Sequence, residues 1–174
     1  MTQVRLTLVV AAFLTLTGNF TFLEKTLLVY PLSENWLFVC SLFIWLFVFL
    51  SALLLLLCYR YSIKPILIIL LIISSLVSYS TNNFGIVFDH NMIANTFETN
   101  TTEFSDLVSF KSFVYLLFYG LLPSYFVWTT TITKVSLWNQ LWQRIKALLI
   151  MIFIFSLLTM SFYKALSSFA RENP

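Results

Sequence analysis

Residues 36–58 read WLFVCSLFIWLFVFLSALLLLLC, a run with no charged side chain anywhere along it. A helix rises 1.5 Å per residue, so about 20 such residues span the roughly 30 Å hydrocarbon core of a bilayer, whereas an apolar run of 10–14 would suit a buried helix of a soluble protein. Four further apolar runs flank this one, at 4–23, 63–80, 112–133 and 147–163. Their spacing predicts an all-α fold, an integral membrane five-helix bundle, and five passes put the two ends of the chain on opposite faces.

The charges fix which end is which. With the N-terminus cytoplasmic, the inner segments carry Arg5, Arg60, Lys64, Lys134, Arg144 and Lys146 and no acid. The outer segments carry Lys25, Lys111, Lys164 and Arg171 beside Glu24, Glu34, Asp89, Glu98, Glu103, Asp106 and Glu172. The excess of Lys and Arg on one side predicts a cytoplasmic N-terminus and a C-terminus on the outer face. Composition excludes a soluble domain, since 60% of residues are hydrophobic and 10% charged, with a mean hydropathy of +0.91. A net charge of +3 does not indicate nucleic acid, because the basic residues sit at helix ends, where they meet anionic headgroups.

The connectors are ordinary. The first run lacks a small-x-small cleavage site around Thr15, Thr17, Gly18 and Asn19, and reads as a retained first helix. Cys40 and Cys58 lie near opposite faces on one helix, out of reach of a mutual disulfide. In the loop at 24–35, Pro31 ends any helical extension and Ser33 is expected to cap the next helix. Tyr59-Arg60-Tyr61 and Lys64-Pro65 form a tight inner turn. Leu137, Leu141 and Ile145, flanked by Trp138 and Trp142, with Gln143, Arg144 and Lys146 on the polar side, predict a short amphipathic interfacial helix at 134–146, and Pro123 predicts a kink in the fourth span. The end Phe169-Ala170-Arg171-Glu172-Asn173-Pro174 reads as a linker into a further domain.

The long outer segment at 82–111 holds the only histidine and four of the seven carboxylates. Ile93, Phe97, Phe104, Leu107 and Val108 share one helical face and Asn95, Glu98, Thr99, Glu103 and Asp106 the other, which predicts amphipathic helices lying on the outer membrane surface between the third and fourth spans. Asn100-Thr101-Thr102-Glu103 has capping-box spacing, so a break falls at Asn100. Asn95, Thr99 and Glu103 are spaced four apart. An amide, a hydroxyl and a carboxylate so placed suit one ligand that bears an ammonium and phosphate or hydroxyl oxygens. The same pattern also fits a solvent-facing helix with a cap. Asp89 and His90 lie beside these residues and are assigned no chemistry. Tyr79 and Phe84 are expected in an aromatic belt at the outer surface.

From Phe88-Asp89-His90-Asn91-Met92-Ile93-Ala94-Asn95 through Thr96-Phe97-Glu98-Thr99-Asn100-Thr101-Thr102-Glu103, the chain resembles the periplasmic signature of lipid A phosphoethanolamine transferases. Phe13-Leu14-Thr15, Asn19-Phe20-Thr21-Phe22, Tyr59-Arg60-Tyr61 with Lys64-Pro65 and Phe169-Ala170-Arg171-Glu172 are similar to the mobile colistin-resistance branch of that family and its chromosomal relatives. The resemblance implies a bacterial inner-membrane protein with a cytoplasmic N-terminus and a periplasmic C-terminus. It implies that residues 1–174 are the transmembrane domain of an enzyme whose periplasmic catalytic domain is absent from this chain. Such enzymes move phosphoethanolamine from phosphatidylethanolamine, the donor, to lipid A, the acceptor, and confer polymyxin and colistin resistance. They use a zinc-activated threonine in that catalytic domain. Neither the zinc site nor the nucleophile carries over here, and Thr99 is not that nucleophile. What carries over is the donor-lipid pocket, with Glu103 on the ethanolamine ammonium and Asn95 and Thr99 on phosphate or glycerol oxygens.

Two other classes compete with that reading. A free-standing transporter, channel or assembly subunit calls for ionisable residues or broken helices inside the spans, and the five span cores contain no Asp, Glu, Lys, Arg or His. An inert anchor calls for no lipid preference at all.

Overall fold

The computed structural model describes residues 1–59, 61–84, 109–133 and 135–163. They form α1 (Gln3–Thr17), α2 (Phe20–Val29), α3 (Leu32–Leu57), α4 (Ile63–Phe84), α5 (Phe110–Tyr115), a π-helical segment (Leu116–Leu121), α6 (Leu122–Thr129) and α7 (Leu137–Ser161), with no strand among the described residues. By length and composition, Asn35–Leu57, Ile63–Asn83, Phe110–Thr129 and Leu137–Ser161 are each able to cross a membrane, and α1 with α2 makes a fifth, bent by 55°. Large apolar side chains cover the outside: Leu28 and Met160 are 78% and 81% exposed. Such a surface is stable against lipid and not against water. The chain is an all-α membrane bundle.

The first helix is its axis. Leu6, Val10, Ala11 and Leu14 of α1 pack with Leu54 and Cys58 of α3, Ile63, Leu67 and Leu71 of α4 and Val127 of α6. On the other flank, Val4 and Leu8 meet Val48 and Leu55 of α3 and Met151 of α7. A helix surrounded in this way must bury its polar side chains too, and it satisfies them internally. Thr7 donates to the Gln3 carbonyl at 3.0 Å and Thr15 to the Ala11 carbonyl at 2.8 Å.

Where the sequence predicts one uninterrupted run at 4–23, the chain bends at Gly18-Asn19. Gly18 is needed there for space. A Cβ on it would lie 3.2 Å from Ser74 Oγ of α4 and 2.9 Å from the Leu14 carbonyl oxygen. Asn19 then closes the broken end, donating from Nδ2 to the Leu14 and Thr15 carbonyls, each at 3.2 Å. Helix α3 also departs from expectation. It begins at Leu32, directly after Pro31 with φ −57°, so Ser33 lies inside the helix and is not its cap. Its first turn is offset at Asn35, whose φ/ψ of −123° and 22° is non-helical.

Pro123 acts through the turn before it. Lacking an N–H, it leaves the helix short of one donor. The chain widens into the π-helical segment, and the Leu122 N–H reaches the Leu117 carbonyl five residues back. That wide turn brings Gly120 against α4, where a Cβ would sit 2.8 Å from Ser75 Oγ. Small residues at a crossing let backbones approach closely, the main source of packing energy between helices in lipid.

The interfacial helix expected at 134–146 is instead the first part of α7, which runs unbroken from Leu137 to Ser161. Arg144, read as part of a polar face, is only 8% exposed. Its guanidinium donates to the Leu55 carbonyl at 3.3 Å and to the Cys58 carbonyl, and lies 5.4 Å from the centre of the Tyr59 ring. It caps the C-terminus of α3, where unsatisfied carbonyls and the helix dipole both favour a cation. Lys64 does the same for α6, donating to the Trp128 carbonyl at 2.6 Å.

Because Ser75 Oγ is itself fixed on the Ile72 carbonyl at 2.7 Å, Gly120→Ala is expected to destabilise the bundle by about 1–3 kcal/mol. Adding Ser75→Ala should recover part of that loss. Unfolding of the single and double variants in detergent checks both.

Candidate functional site

The described residues that bracket the long connecting segment gather at the end of the bundle where α4 stops and α5 starts. Ser109 opens α5 with a capping box: its Oγ accepts from the Ser112 N–H at 3.2 Å, and Ser112 Oγ accepts from the Ser109 N–H at 3.0 Å. The same Ser109 Oγ lies 2.7 Å from the Tyr79 hydroxyl. Tyr79 sits five residues before the end of α4, so this bond ties the two roots of the segment at 85–108 to each other.

A ladder of rings runs inward from that bond. Tyr79 meets Tyr115 edge-on at 5.6 Å, Tyr115 meets Tyr119 at 5.3 Å, and Tyr119 meets Phe13 of α1 at 6.5 Å. Edge-on and tilted pairs at these distances stabilise beyond the area they bury. Tyr79 was expected in a lipid-facing belt; at 5% exposure it belongs to the interior. The helix bend joins the same end, since Thr21 Oγ1 donates to Asn82 Oδ1 at 2.5 Å. Asn83 holds the last turn of α4 through the Tyr79 carbonyl at 3.0 Å.

The residues predicted to bind ligand, Asn95, Thr99 and Glu103, lie outside the described residues, as do Asp89, His90 and Glu98 and the ending at 169–174. What the residues named above supply at this end is a scaffold of hydroxyls, amides and rings that fixes where the segment leaves and rejoins the bundle. No group of three or more His, Cys, Asp or Glu among them is placed to hold a metal. The hydroxyl pair of Tyr79 and Ser109 was missed in the sequence, although the Ser109-x-x-Ser112 spacing that carries the cap was legible.

The family model described as phosphoethanolamine transferase EptA/EptB matches residues 46–174. The chain belongs to this family. Among curated proteins it is similar to phosphatidylethanolamine transferase Mcr-2 of Escherichia coli, at 41% identity over 118 residues, and to phosphatidylethanolamine transferase Mcr-1 of the same organism, at 40% over 119 residues. Each alignment covers 68% of this chain and 22% of the relative, so the chain spans less than a quarter of the length of the curated relatives it matches. The fold is that of the integral membrane lipooligosaccharide phosphoethanolamine transferase A (EptA) from Neisseria meningitidis. The likeness has a TM-score of 0.90 at 20% identity, over 97% of this chain and 32% of that one.

In this family member, Tyr79→Phe should leave the bundle folded and loosen one local joint. The net loss of a hydrogen bond is about 1 kcal/mol, and it should appear as faster amide exchange at the start of α5, with α1 and α3 unchanged.

Proposed function

We propose that this chain is the membrane domain of a phosphoethanolamine transferase of the bacterial inner membrane, and that its contribution to the reaction is to hold the donor lipid. The family match over residues 46–174 carries this reading, because it runs through the whole segment bearing Asn95, Thr99 and Glu103. The names of the curated relatives support phosphatidylethanolamine as donor. In this reading lipid A is the acceptor, the outcome is polymyxin and colistin resistance, and a periplasmic catalytic domain of the whole enzyme brings the nucleophile and the zinc that activates it.

The orientation follows from charge. Arg5, Arg60, Lys64, Lys134, Arg144 and Lys146 put the Met1 end of the bundle in the cytoplasm, and every acid then faces the periplasm. The chemistry of the pocket follows from its three side chains. A carboxylate near a low-dielectric surface pairs strongly with an ammonium that donates N–H, so Glu103 selects ethanolamine over choline, which has the charge but no N–H, and over glycerol, which has no charge. The Asn95 amide and the Thr99 hydroxyl donate to phosphate or glycerol oxygens and hold the headgroup where the catalytic domain reaches it.

The test is headgroup-selective lipid binding by the purified chain, read by native mass spectrometry. Phosphatidylethanolamine should be retained over phosphatidylglycerol and phosphatidylcholine, and Glu103→Gln should abolish the preference. Equal retention of all three by the wild type would reduce the chain to an anchor.

A further inference from the structure

Among the described residues no carboxylate balances the charge of Arg144. The side chain is 8% exposed, and all seven acids belong to segments at the opposite ends of the spans, across the roughly 30 Å hydrocarbon core. The carbonyl end of α3 offers it the equivalent of about half a negative charge. Of the five N–H groups on a guanidinium, two are taken by the Leu55 and Cys58 carbonyls, which leaves three without a protein acceptor among the described residues. A buried charge is costly until an opposite charge meets it.

Arg144 also lines a hollow between the start of α1 and the first turns of α7, with Gln3 and Val4 on one wall and Gln140 and Gln143 on the other. The hollow is small: about 10 Å³, the room one oxygen atom needs, opening onto a mouth that brings its free space to about 230 Å³. Helix α1 begins here. Thr2 Oγ1 accepts from the Arg5 N–H at 3.3 Å, and the N–H groups of Gln3 and Val4, the first two of the helix, have no partner within it. The positive end of the α1 dipole therefore adds to Arg144 at one place. Gln3 is 7% exposed, and no described residue bonds to its carboxamide. The chain at 131–133 holds this end still, with the Met1 amine donating to the Thr131 carbonyl at 2.8 Å and the Thr133 N–H to the Met1 carbonyl at 3.1 Å.

We infer that this hollow is an oxyanion site, whose ligand is a phosphate group with one oxygen seated on the N–H groups of Gln3 and Val4 and on the guanidinium of Arg144. Charge selects the ligand. A water oxygen accepts the same bonds and leaves the charge unbalanced, and a cation is repelled by a guanidinium beside a helix N-terminus. A phosphate oxygen is of the size the hollow admits and accepts charge-assisted bonds from both kinds of donor. The carboxamides of Gln140 and Gln143, which also line the hollow, are donors for its other oxygens. Bound there, the phosphate joins the start of α1 to α7 and, through Arg144, to the end of α3. Phosphate reaches this interface in two forms, as the phosphodiester of a phospholipid and as the free ion. The site is independent of the function proposed above, whose residues belong to the other side of the bilayer.

The experiment follows thermal unfolding of the intact chain in an uncharged detergent, at constant ionic strength set with sodium chloride. Sodium phosphate in place of part of the chloride, or phosphatidylglycerol added to the micelles, should raise the Tm by several degrees, as a ligand of the folded state does. Gln3→Glu puts a carboxylate in the hollow on a side chain of nearly the same shape. Its Tm without phosphate should equal or exceed that of the wild type, and the rise on adding either ligand should vanish. Asn139→Asp adds the same charge at an exposed position of α7 outside the hollow and should keep the full rise. No rise in the wild type with either ligand overturns the proposal. So does a rise that survives in Gln3→Glu, one that is lost in Asn139→Asp, or a Gln3→Glu chain less stable than the wild type. Native mass spectrometry of the same samples separates the two sources, and either one sustains the site. Phosphatidylglycerol retained by the wild type and lost from Gln3→Glu identifies the lipid; a rise with sodium phosphate and no such lipid retained identifies the free ion.

Discussion

A backbone carbonyl in hydrocarbon has no water to turn to, so every break in a helix must be closed by a donor from elsewhere in the chain. Among the described residues the bundle meets that demand at four such places. Asn19 closes the end of α1 by donating to two of its carbonyls. Arg144 reaches from α7 to the last carbonyls of α3. Lys64 reaches from α4 to the end of α6. At Pro123, where a donor is missing by covalent structure, the chain widens by one residue and bonds five back. Two of these closures cross between helices, so satisfying the backbone also sets which helices are neighbours.

With the breaks closed, packing in lipid has only dispersion and close approach to work with. The chain answers by placing its first helix at the centre and small residues where helices cross. Gly18 against Ser74 and Gly120 against Ser75 both bring a helix close to α4. Helix α4 is therefore fixed along its length, and its far end is tied through Tyr79 and Ser109 to the start of α5. The connecting segment at 85–108 therefore leaves and rejoins the bundle from a fixed base. The bend at Gly18-Asn19 contributes to that base through Thr21 and Asn82.

Much of this was legible in the sequence, and the reasons differ by element. The apolar runs named an all-α membrane bundle because hydrocarbon thickness sets run length directly. Pro123 announced a disturbance but not its form, since a kink and a π-turn answer the same missing N–H. Arg144 was misread because on its own helix it lies among polar neighbours; its partners are carbonyls on α3, which no periodicity along α7 reveals. The bend at Gly18 was hidden for a similar reason, as Gly18 is required by Ser74 of another helix. Tyr79 looked like a belt residue because aromatic residues near span ends usually are; Ser109 and Tyr115, which meet it from across the connection, are not visible in its own helix. Asn95, Thr99 and Glu103 were read from spacing and family likeness together, and spacing alone left a capped surface helix equally open.

The most direct test of this account is the unfolding free energy of Arg144→Met in detergent or bilayer, set against Arg5→Met from the same end of the bundle. Arg144 is buried on carbonyls and Arg5 is exposed. Leaving buried carbonyls without donors should cost about 1–3 kcal/mol, while the exposed arginine should change stability by no more than about 0.5 kcal/mol. Equal, small effects from the two substitutions would contradict the claim that donors closing the helix ends hold this bundle together.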